Sequence, residues 1–281
     1  MKDSIKKQLI EILKTQKVIF GDELFEEKYL NRRTRIIKEP GNNPELRKNA
    51  ELKQNAPDAA DEKNDTTAYV YEKIKEEKIH ESLFSDSKKD WEISENLNDL
   101  YKLICNCQKC ALGAMRNKFV FGSGCSNADV MVIGEGPGAD EDAQGLPFVG
   151  RAGGLLTDIL KAINFNRDEV YIANIVKCRP PGNRTPLQQE MDACLPYLKK
   201  QIGLIKPKLI LCLGLTASQG LLKRKDSLTN MRGKVFEFEK AKVIVTFHPA
   251  ALLRNPNWKR DCWEDVKKFK KLYNQIVLKN G

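Results

Sequence analysis

The sequence predicts an α/β fold, a three-layer α/β/α sandwich with a central parallel sheet of about four strands. Short apolar, β-branched segments alternate with longer segments of helical periodicity from about Trp91 onward. Such alternation is typical of right-handed βαβ units, whose helices cover both faces of a parallel sheet. We expect the order 2-1-3-4 for these strands.

The predicted elements follow one another along the second part of the chain. A stripe of leucines and one isoleucine over 97–104 favours a helix, which ends in a cysteine-rich segment. Beyond it, the hydrophobic pattern predicts strands over 129–133, 170–176, 209–213, 235–238 and 243–247, and helices over 154–163, 186–205, 216–222 and 258–277. A helix follows each of the first three strands, as βαβ units require.

A glycine-rich turn and an acidic cluster follow the first predicted strand. Gly134, Gly136 and Gly138 let the backbone turn tightly and let a ligand approach it closely. The segment Gly145–Gly150 then places the aromatic ring of Phe148 behind a rigid proline. The spacing matches neither a dinucleotide-binding turn nor a P-loop. Its position at a strand end makes it a candidate ligand site, and an ordinary turn with a solvated acidic loop is the alternative.

The charge of the 281-residue chain is unevenly distributed. Residues 1–95 carry 19 basic and 21 acidic side chains, whereas residues 96–281 carry 29 basic and 17 acidic ones. The formal net charge of +10 therefore arises in the second part, which points to a polyanionic partner such as nucleic acid. A charge excess that only keeps the protein in solution is the alternative.

We divide the chain into an N-terminal extension, residues 1–95, and a folded domain, residues 96–281. Apolar residues at helical spacing favour a short helix over residues 3–20, and a weakly ordered tail is the alternative. Residues 31–66 have the polar composition of a disordered linker, and residues 67–90 are rich in glutamate and lysine. The amphipathic spacing motivates the hypothesis that the extension binds a protein partner.

Neither a membrane span nor a secretory signal is predicted. No apolar run approaches the ~20 residues that span a bilayer, and the first residues lack a long apolar core and a small-residue cleavage site. We therefore expect a soluble, cytoplasmic protein that does not bind membranes. In a reducing compartment its eight cysteines are more typical of metal ligands or free thiols than of disulfides.

Four of the cysteines form a candidate metal site. Cys107 and Cys110 make a Cys-x-x-Cys pair, Cys178 ends a predicted strand beside two prolines, and Cys194 lies in the following helix. Four thiolates from separate segments suit either a zinc ion or an iron–sulfur cubane. For Cys178 and Cys194, a role as small core residues is the alternative.

The second of the two histidines, His248, follows the last predicted strand, at the same sheet edge as Asn174 and the glycine-rich turn. It opens a proline-bounded loop, predicted over His248–Pro256. A lone histidine is more often structural than catalytic. Apolar tips on such a loop are favourable when buried on binding, for example as a wedge in a base step, so Leu252 or Leu253 is a candidate wedge. Arg254 is a candidate phosphate contact.

Residues from about 96 to 280 resemble the family 4 uracil-DNA glycosylases, the iron–sulfur type. The resemblance rests on five motifs in one order: Gly134–Gly138, Gly145–Gly150, Asn174–Pro181, the set Cys107, Cys110, Cys178 and Cys194, and His248–Pro256. Glu135 favours family 4, because the sister family 5 enzymes carry no acid in the first motif. Residues 1–95 lie outside the resemblance.

The resemblance implies a DNA repair enzyme. Its members flip uracil out of single- or double-stranded DNA and hydrolyse the N-glycosidic bond, which leaves an abasic site for base excision repair. It further implies a structural [4Fe–4S] cluster held by the four cysteines, and we expect a monomer. A non-catalytic iron–sulfur module that binds DNA or senses redox state is the alternative, as is a glycosylase for another deaminated base such as hypoxanthine.

The resemblance also implies a role for each site residue. Phe148 stacks on the flipped uracil, and the Asn174 amide matches uracil O4 and N3–H but mismatches cytosine. His248 donates a hydrogen bond to O2, where negative charge develops, and Glu135 positions water. The base is further contacted by Gly136 through its amide, by Glu141 near C5, and by Asn183 at the rim. Asp140 and Asp142 remain alternatives to Glu141.

Overall fold

The computed structural model describes residues 89–278. The helix expected over residues 3–20, the charged linker and the partner-binding hypothesis therefore lie outside the described residues. None of the helices within 89–278 combines the length and the apolar character needed to cross a lipid bilayer.

The described residues form a mixed α/β structure. The strands are β1 (Ser123–Gly124), β2 (Val130–Gly134), β3 (Tyr171–Asn174), β4 (Leu209–Leu213), β5 (Val235–Phe238) and β6 (Ala241–Thr246). The α-helices are α1 (Leu97–Ile104), α2 (Leu112–Met115), α3 (Ala139–Gln144), α4 (Arg151–Ala162), α5 (Gln188–Ile205), α6 (Leu215–Leu222), α7 (Leu228–Met231), α8 (Pro249–Arg254) and α9 (Lys259–Tyr273). Short 3₁₀ turns lie at Asp90–Glu92, Pro181–Asn183 and Pro256–Trp258, and Asn274–Leu278 continues α9 as a π-type turn.

The strands form one six-stranded sheet in the order β1-β3-β2-β4-β6-β5. The four inner strands are parallel, and β2 pairs with β3 so that Gly134 lies opposite Asn174. Counted along the chain, these four strands have the order 2-1-3-4, which confirms the expected topology. The outer strands β1 and β5 are antiparallel to their neighbours. β1 has only two residues, too few for any periodicity to predict it.

Two hydrophobic clusters cover the two faces of the sheet. α1, α2, α5 and α6 pack on one face, against side chains such as Met131 and Ile210. α4, α8 and α9 pack on the other face, against side chains such as Val132 and Leu211. Successive strand residues point to opposite faces, and β2 and β4 are buried along their whole length, as strands covered on both sides must be. The three-layer arrangement is confirmed.

Two segments for which no helix was predicted are helical. The acidic cluster forms α3, where the Glu141 carboxylate accepts the Gly138 backbone N–H at 3.0 Å. The loop predicted over His248–Pro256 is wrong over α8, because His248 caps that helix and Pro249 occupies its first turn. Proline is favoured at the first helical position, since it has no N–H to leave unpaired there.

Candidate active site

A cavity of about 440 Å³ opens at the carboxyl edge of the parallel strands. β2 and β3 end there at Gly134 and Asn174, and the segments that follow the strands form its walls. Eight residues singled out from the sequence line it: Glu135, Gly136, Glu141, Phe148, Asn174, Asn183, His248 and Arg254. A larger, more open cavity of about 860 Å³ beside α1 is lined by none of these eight. The separate motifs therefore converge on the smaller cavity.

Glycines allow the aromatic and amide side chains to approach each other. The rings of Phe148 and His248 are 5.5 Å apart between centroids. Phe148 has a φ of 53°, which non-glycine residues rarely adopt, and Gly153 makes room for its carbonyl oxygen. A Cβ on Gly134 would lie 2.5 Å from Asn174 Oδ1 and 2.6 Å from the Phe148 ring. Any larger residue at position 134 would therefore intrude on both side chains.

The Glu141 carboxylate ties the glycine-rich turn to the segment that carries Phe148. It accepts backbone N–H groups of Gly138 at 3.0 Å, Val149 at 3.0 Å and Gly150 at 3.2 Å. Arg167 fastens the same segment from outside, because its guanidinium donates to the Pro147 carbonyl oxygen at 2.7 Å. The sequence analysis missed Arg167, and no local signal connects it to a segment twenty residues earlier. These contacts hold the cavity wall in one conformation.

The three neighbouring acids have different surroundings. Asp142 is buried and accepts hydrogen bonds from the backbone and side chain of Asn117, at 3.0 Å and 2.6 Å. Asp140 is exposed and does not line the cavity. Only Glu141 lines it. Of the three acids left open by the sequence, Glu141 alone is placed to act on a ligand in this cavity.

The side chain of Asn174 carries an unpaired polar atom. Asn174 is 2 % exposed, and its Oδ1 has no hydrogen-bond partner among the described residues. A buried acceptor without a partner costs about 1–3 kcal/mol, so native proteins rarely retain one without a function. The atom belongs to a residue that lines the cavity, where a ligand N–H can satisfy it.

The imidazole of His248 is neutral and fixed in one tautomer. Its Nδ1 accepts the backbone N–H of Ala250 at 3.2 Å, so the proton resides on Nε2. Burial, and then the nearby charge of Arg254, lower the pKa of His248 to about 4, although Glu141 acts in the opposite direction. At neutral pH the cavity therefore contains an uncharged N–H donor.

This pKa predicts the pH dependence of His248. A free imidazole titrates near 6.5, whereas the buried one stays neutral until the pH approaches about 4. Because the unfolded chain binds this proton first, the free energy of unfolding falls as the pH drops from 6.5 towards 4. An NMR titration of a His80→Gln variant, which leaves a single imidazole, should give a midpoint near 4. A midpoint near 6.5 would contradict the assigned environment.

The four candidate metal ligands lie near one another at the first face of the sheet. Cys178 and Cys194 are buried in the cluster of the first sheet face, and Cys107 and Cys110 pack against it. Arg116 reaches into this group and donates to Cys178 Sγ at 3.3 Å. The remaining cysteines are elsewhere: Cys105 contacts the Lys102 carbonyl, Cys125 contacts Asn127, Cys212 lies in β4 and Cys262 in α9.

The chemistry of this donor set suits a metal group that is ligated by thiolates. Burial raises the pKa of Cys178 to about 11 and of Cys194 to about 12, so these thiols ionise only when cations compensate their charge. Arg116 and the buried Lys177 supply positive charge beside them. Within residues 89–278 no group of three or more His, Cys, Asp or Glu side chains is arranged closely enough to hold a metal ion.

The two wedge candidates lie in different environments. Leu252 is 1 % exposed and belongs to the core of the second sheet face. Leu253 is 39 % exposed, and the neighbouring Arg254 is also exposed. Helical periodicity separates them, because adjacent residues of α8 point about 100° apart. Leu252 is therefore a core residue rather than a wedge, and Leu253 remains the candidate.

Arg184 is a cavity residue that sequence reasoning did not select. Its guanidinium forms two hydrogen bonds to the buried Glu190 carboxylate, at 2.9 Å and 2.6 Å. Glu190 also accepts the Leu187 backbone N–H at 2.7 Å, which fixes the start of α5. An arginine and a glutamate six residues apart across a proline give no periodic signal, so only the structure reveals this support of the rim.

Comparisons with known proteins show the family to which the chain is similar. The model of the Uracil DNA glycosylase superfamily matches residues 121–267. A type-4 uracil-DNA glycosylase of Pyrobaculum aerophilum is 44 % identical over 182 residues, 62 % of this chain and 93 % of the relative. One of Archaeoglobus fulgidus is 41 % identical over 186 residues, 63 % of this chain and 94 % of the relative. A type-5 enzyme of Pyrobaculum aerophilum is 31 % identical over 143 residues, 45 % of this chain and 63 % of the relative. The chain therefore belongs to the uracil-DNA glycosylase superfamily, and within it to the type-4 family.

Proposed function

We propose that this protein removes uracil from DNA: the uridine is flipped into the cavity, and its N-glycosidic bond is hydrolysed to leave an abasic site. This is the first step of base excision repair. The observation that carries the proposal is the buried, unpaired Oδ1 of Asn174 in the cavity wall. The type-4 relatives support the same activity.

The Asn174 amide distinguishes uracil from cytosine by hydrogen-bond direction. Its Oδ1 accepts uracil N3–H, and its Nδ2 donates to uracil O4. Cytosine presents an acceptor at N3 and a donor at its exocyclic amine, so both contacts would be lost. Phe148 stacks on the base, and the Gly136 amide contacts its edge. Glu141 forms the wall near C5, where it excludes the methyl group of thymine through the backbone that it holds.

His248 and Glu135 act on the bond that breaks. As the C1′–N1 bond opens, its electron pair moves into the base, and negative charge develops on O2. The neutral Nε2–H of His248 donates to that oxygen and stabilises the leaving uracil anion. Glu135 lines the same cavity, where its carboxylate orients the attacking water, accepts its proton and stabilises the positive charge on the sugar.

Leu253 and Arg254 are the proposed contacts with the rest of the DNA. The exposed Leu253 enters the space that the flipped base leaves in the stack. Arg254 lines the cavity mouth and contacts a backbone phosphate. Asn183 lies at the rim, where its Oδ1 accepts a hydrogen bond from Arg179 at 2.8 Å. It contributes to the rim rather than to the base-reading wall.

A [4Fe–4S] cluster is the proposed cofactor, with Cys107, Cys110, Cys178 and Cys194 as its ligands. The buried thiols and the compensating cations beside them support it, as do the type-4 relatives. The cluster would join three chain segments and so stabilise the fold, and it would take no part in hydrolysis. Lys177 donates to the backbone carbonyl of Asn174 at 3.0 Å, so the braced segment also supports the base-reading residue.

Base release from matched oligonucleotides tests the proposed function. Single-stranded oligonucleotides that differ in one base, uracil, hypoxanthine, cytosine or thymine, are treated with iron-replete protein, and free base is quantified. We expect release of uracil, with cytosine and thymine untouched. If hypoxanthine were released faster than uracil, the alternative of a glycosylase for another deaminated base would be favoured. No release at all by a folded, brown protein that still binds DNA would favour the non-catalytic iron–sulfur module.

A further inference from the structure

Three side chains form a stack beside the candidate active site. The rings of Phe247 and Trp258 are parallel, with 4.9 Å between centroids and 13° between planes. The Arg232 guanidinium lies over the Phe247 ring, 4.2 Å from its centroid. Arg232 is itself held by the buried Asp265, at 2.7 Å. The indole is therefore supported from behind in a fixed orientation.

The front of this stack is open to solvent. Phe247 is 8 % exposed, whereas Trp258 is 41 % exposed. One face of the indole packs on Phe247, so its exposure belongs to the opposite face and the edge. Trp258 also ends a run of six exposed residues that begins at Leu253. A large aromatic surface is unfavourable in water unless a partner covers it.

The surroundings indicate what covers it. No acidic residue occurs between Phe247 and Asp261, whereas Arg254, Lys259 and Arg260 do. The run is continuous with the proposed wedge and phosphate contact, and Phe247 immediately precedes His248. A polyanion that places one nucleotide in the cavity therefore has this basic, exposed surface close by. Aromatic platforms among basic side chains are how proteins bind unpaired nucleobases.

We propose that the open face of Trp258 stacks on a nucleobase next to the flipped uridine in the same strand. The proposal rests on the proposed function, because the flipped uridine defines the position of its neighbour. The wedge Leu253 would occupy the vacated position, and Trp258 would continue the stack beyond it. Because the Arg232–Phe247 support fixes the indole beforehand, little side-chain entropy is lost when the base binds.

A matched set of variants and oligonucleotides tests this contact. Trp258→Leu keeps an apolar cover on Phe247 but removes the aromatic face, and Trp258→Phe keeps a smaller face. Each variant is assayed for uracil release on single-stranded oligonucleotides in which one of the two nearest nucleotides on either side is replaced by a baseless spacer. On the intact strand, Trp258→Leu should lower kcat/KM about 5- to 150-fold, as the loss of one stacked base implies. Trp258→Phe should retain most of it.

The spacer strands separate stacking from a structural role. At one spacer position the kcat/KM of the wild type should fall by the same factor that Trp258→Leu causes on the intact strand. The kcat/KM of Trp258→Leu should not fall further on that spacer strand. The proposal would be overturned if every spacer lowered the kcat/KM of Trp258→Leu by the same factor as that of the wild type. Trp258 would then only support Phe247. Trp263→Phe, which alters a buried tryptophan of α9, is the control and should respond to spacers as the wild type does.

Fluorescence gives a readout that does not depend on activity. In a Trp91→Phe, Trp263→Phe background Trp258 is the only tryptophan, since the chain has three, and its emission is excited selectively over that of tyrosine. Binding of an intact strand should quench this emission, and the matching spacer should abolish the quench. Quenching without uracil release would support the nucleobase contact and contradict the proposed enzymatic function. If an intact strand bound without changing the emission of Trp258, the proposed contact would be contradicted.

Discussion

Replacing Asn174 by alanine is expected to lower kcat/KM for uracil release by about 10³-fold. The substitution removes the acceptor for uracil N3–H and the donor for O4, and a site built around such contacts depends on them steeply. The same substitution should not lower the melting temperature, because the buried Oδ1 has no hydrogen-bond partner within residues 89–278. Removing an unpaired polar atom from a buried position costs little or stabilises the fold. Steady-state release assays and thermal melts measure the two quantities.

This opposite response of activity and stability distinguishes a binding residue from a structural one. Asn183→Ala is the matched control, since Asn183 lies at the rim and its Oδ1 already has a partner in Arg179. We expect it to change uracil release less than 10-fold. If Asn174→Ala retained wild-type activity, the base would be recognised elsewhere. If Asn174→Ala unfolded the protein, the Asn174 side chain would have a structural role instead.

The sequence predicts the parallel core of the fold because each inner strand is buried on both faces. Such strands appear as unbroken apolar runs, and their alternation with helical patterns specifies the order of the strands in the sheet. The two-residue β1 offers no run to detect. α8 begins with Pro249 after a capping His248, which is a helix-start signal, but the apolar tips were interpreted as a loop. That error left Leu252 and Leu253 equivalent.

The site residues could be predicted where a chemically reactive or polar side chain lies at the end of a strand. Glu135, Asn174 and His248 all occupy such positions, and the parallel sheet brings them to one edge. Their supports were not predictable. Asp142 is paired with Asn117 and Phe148 depends on Arg167 through the Pro147 carbonyl. These contacts join residues that are distant in the chain, and an acidic cluster in a sequence does not reveal which carboxylate is buried.

The contact between Lys177 and Asn174 connects the candidate active site with the candidate metal site. Lys177 is fully buried, and its Nζ donates to the Asn174 backbone carbonyl at 3.0 Å. Its neighbour Cys178 is a proposed cluster ligand. The segment proposed to read the base is thus continuous with the segment that the proposed cluster would anchor. Such a cluster would affect activity by positioning β3, without any electron transfer.

Replacing Cys178 by serine is expected to remove most of the iron and the absorbance near ~400 nm, and to lower the melting temperature by about 10 °C or more. Loss of one thiolate breaks the link among three chain segments, so the ligand-binding free energy no longer adds to folding. Serine retains an oxygen that can accept the Arg116 hydrogen bond now made to Cys178 Sγ. The destabilisation therefore reports the missing cluster rather than an unpaired arginine. Iron analysis, visible spectra and thermal melts provide the measurements.

Cys105→Ser is the matched control for the cluster. Cys105 lies two residues before Cys107, so its spacing makes it a competing ligand, but its thiol donates a hydrogen bond to the Lys102 carbonyl oxygen. This variant should keep its colour, its iron and its melting temperature. A colourless, fully active and equally stable Cys178→Ser protein would refute the structural cluster. If Cys105→Ser lost the cluster instead, the ligand set would have to be reassigned to the Cys105-x-Cys107 pair. The comparison thus tests the identity of the ligands and the purpose of the cofactor together, because only a structural cluster makes stability fall before the chemistry changes.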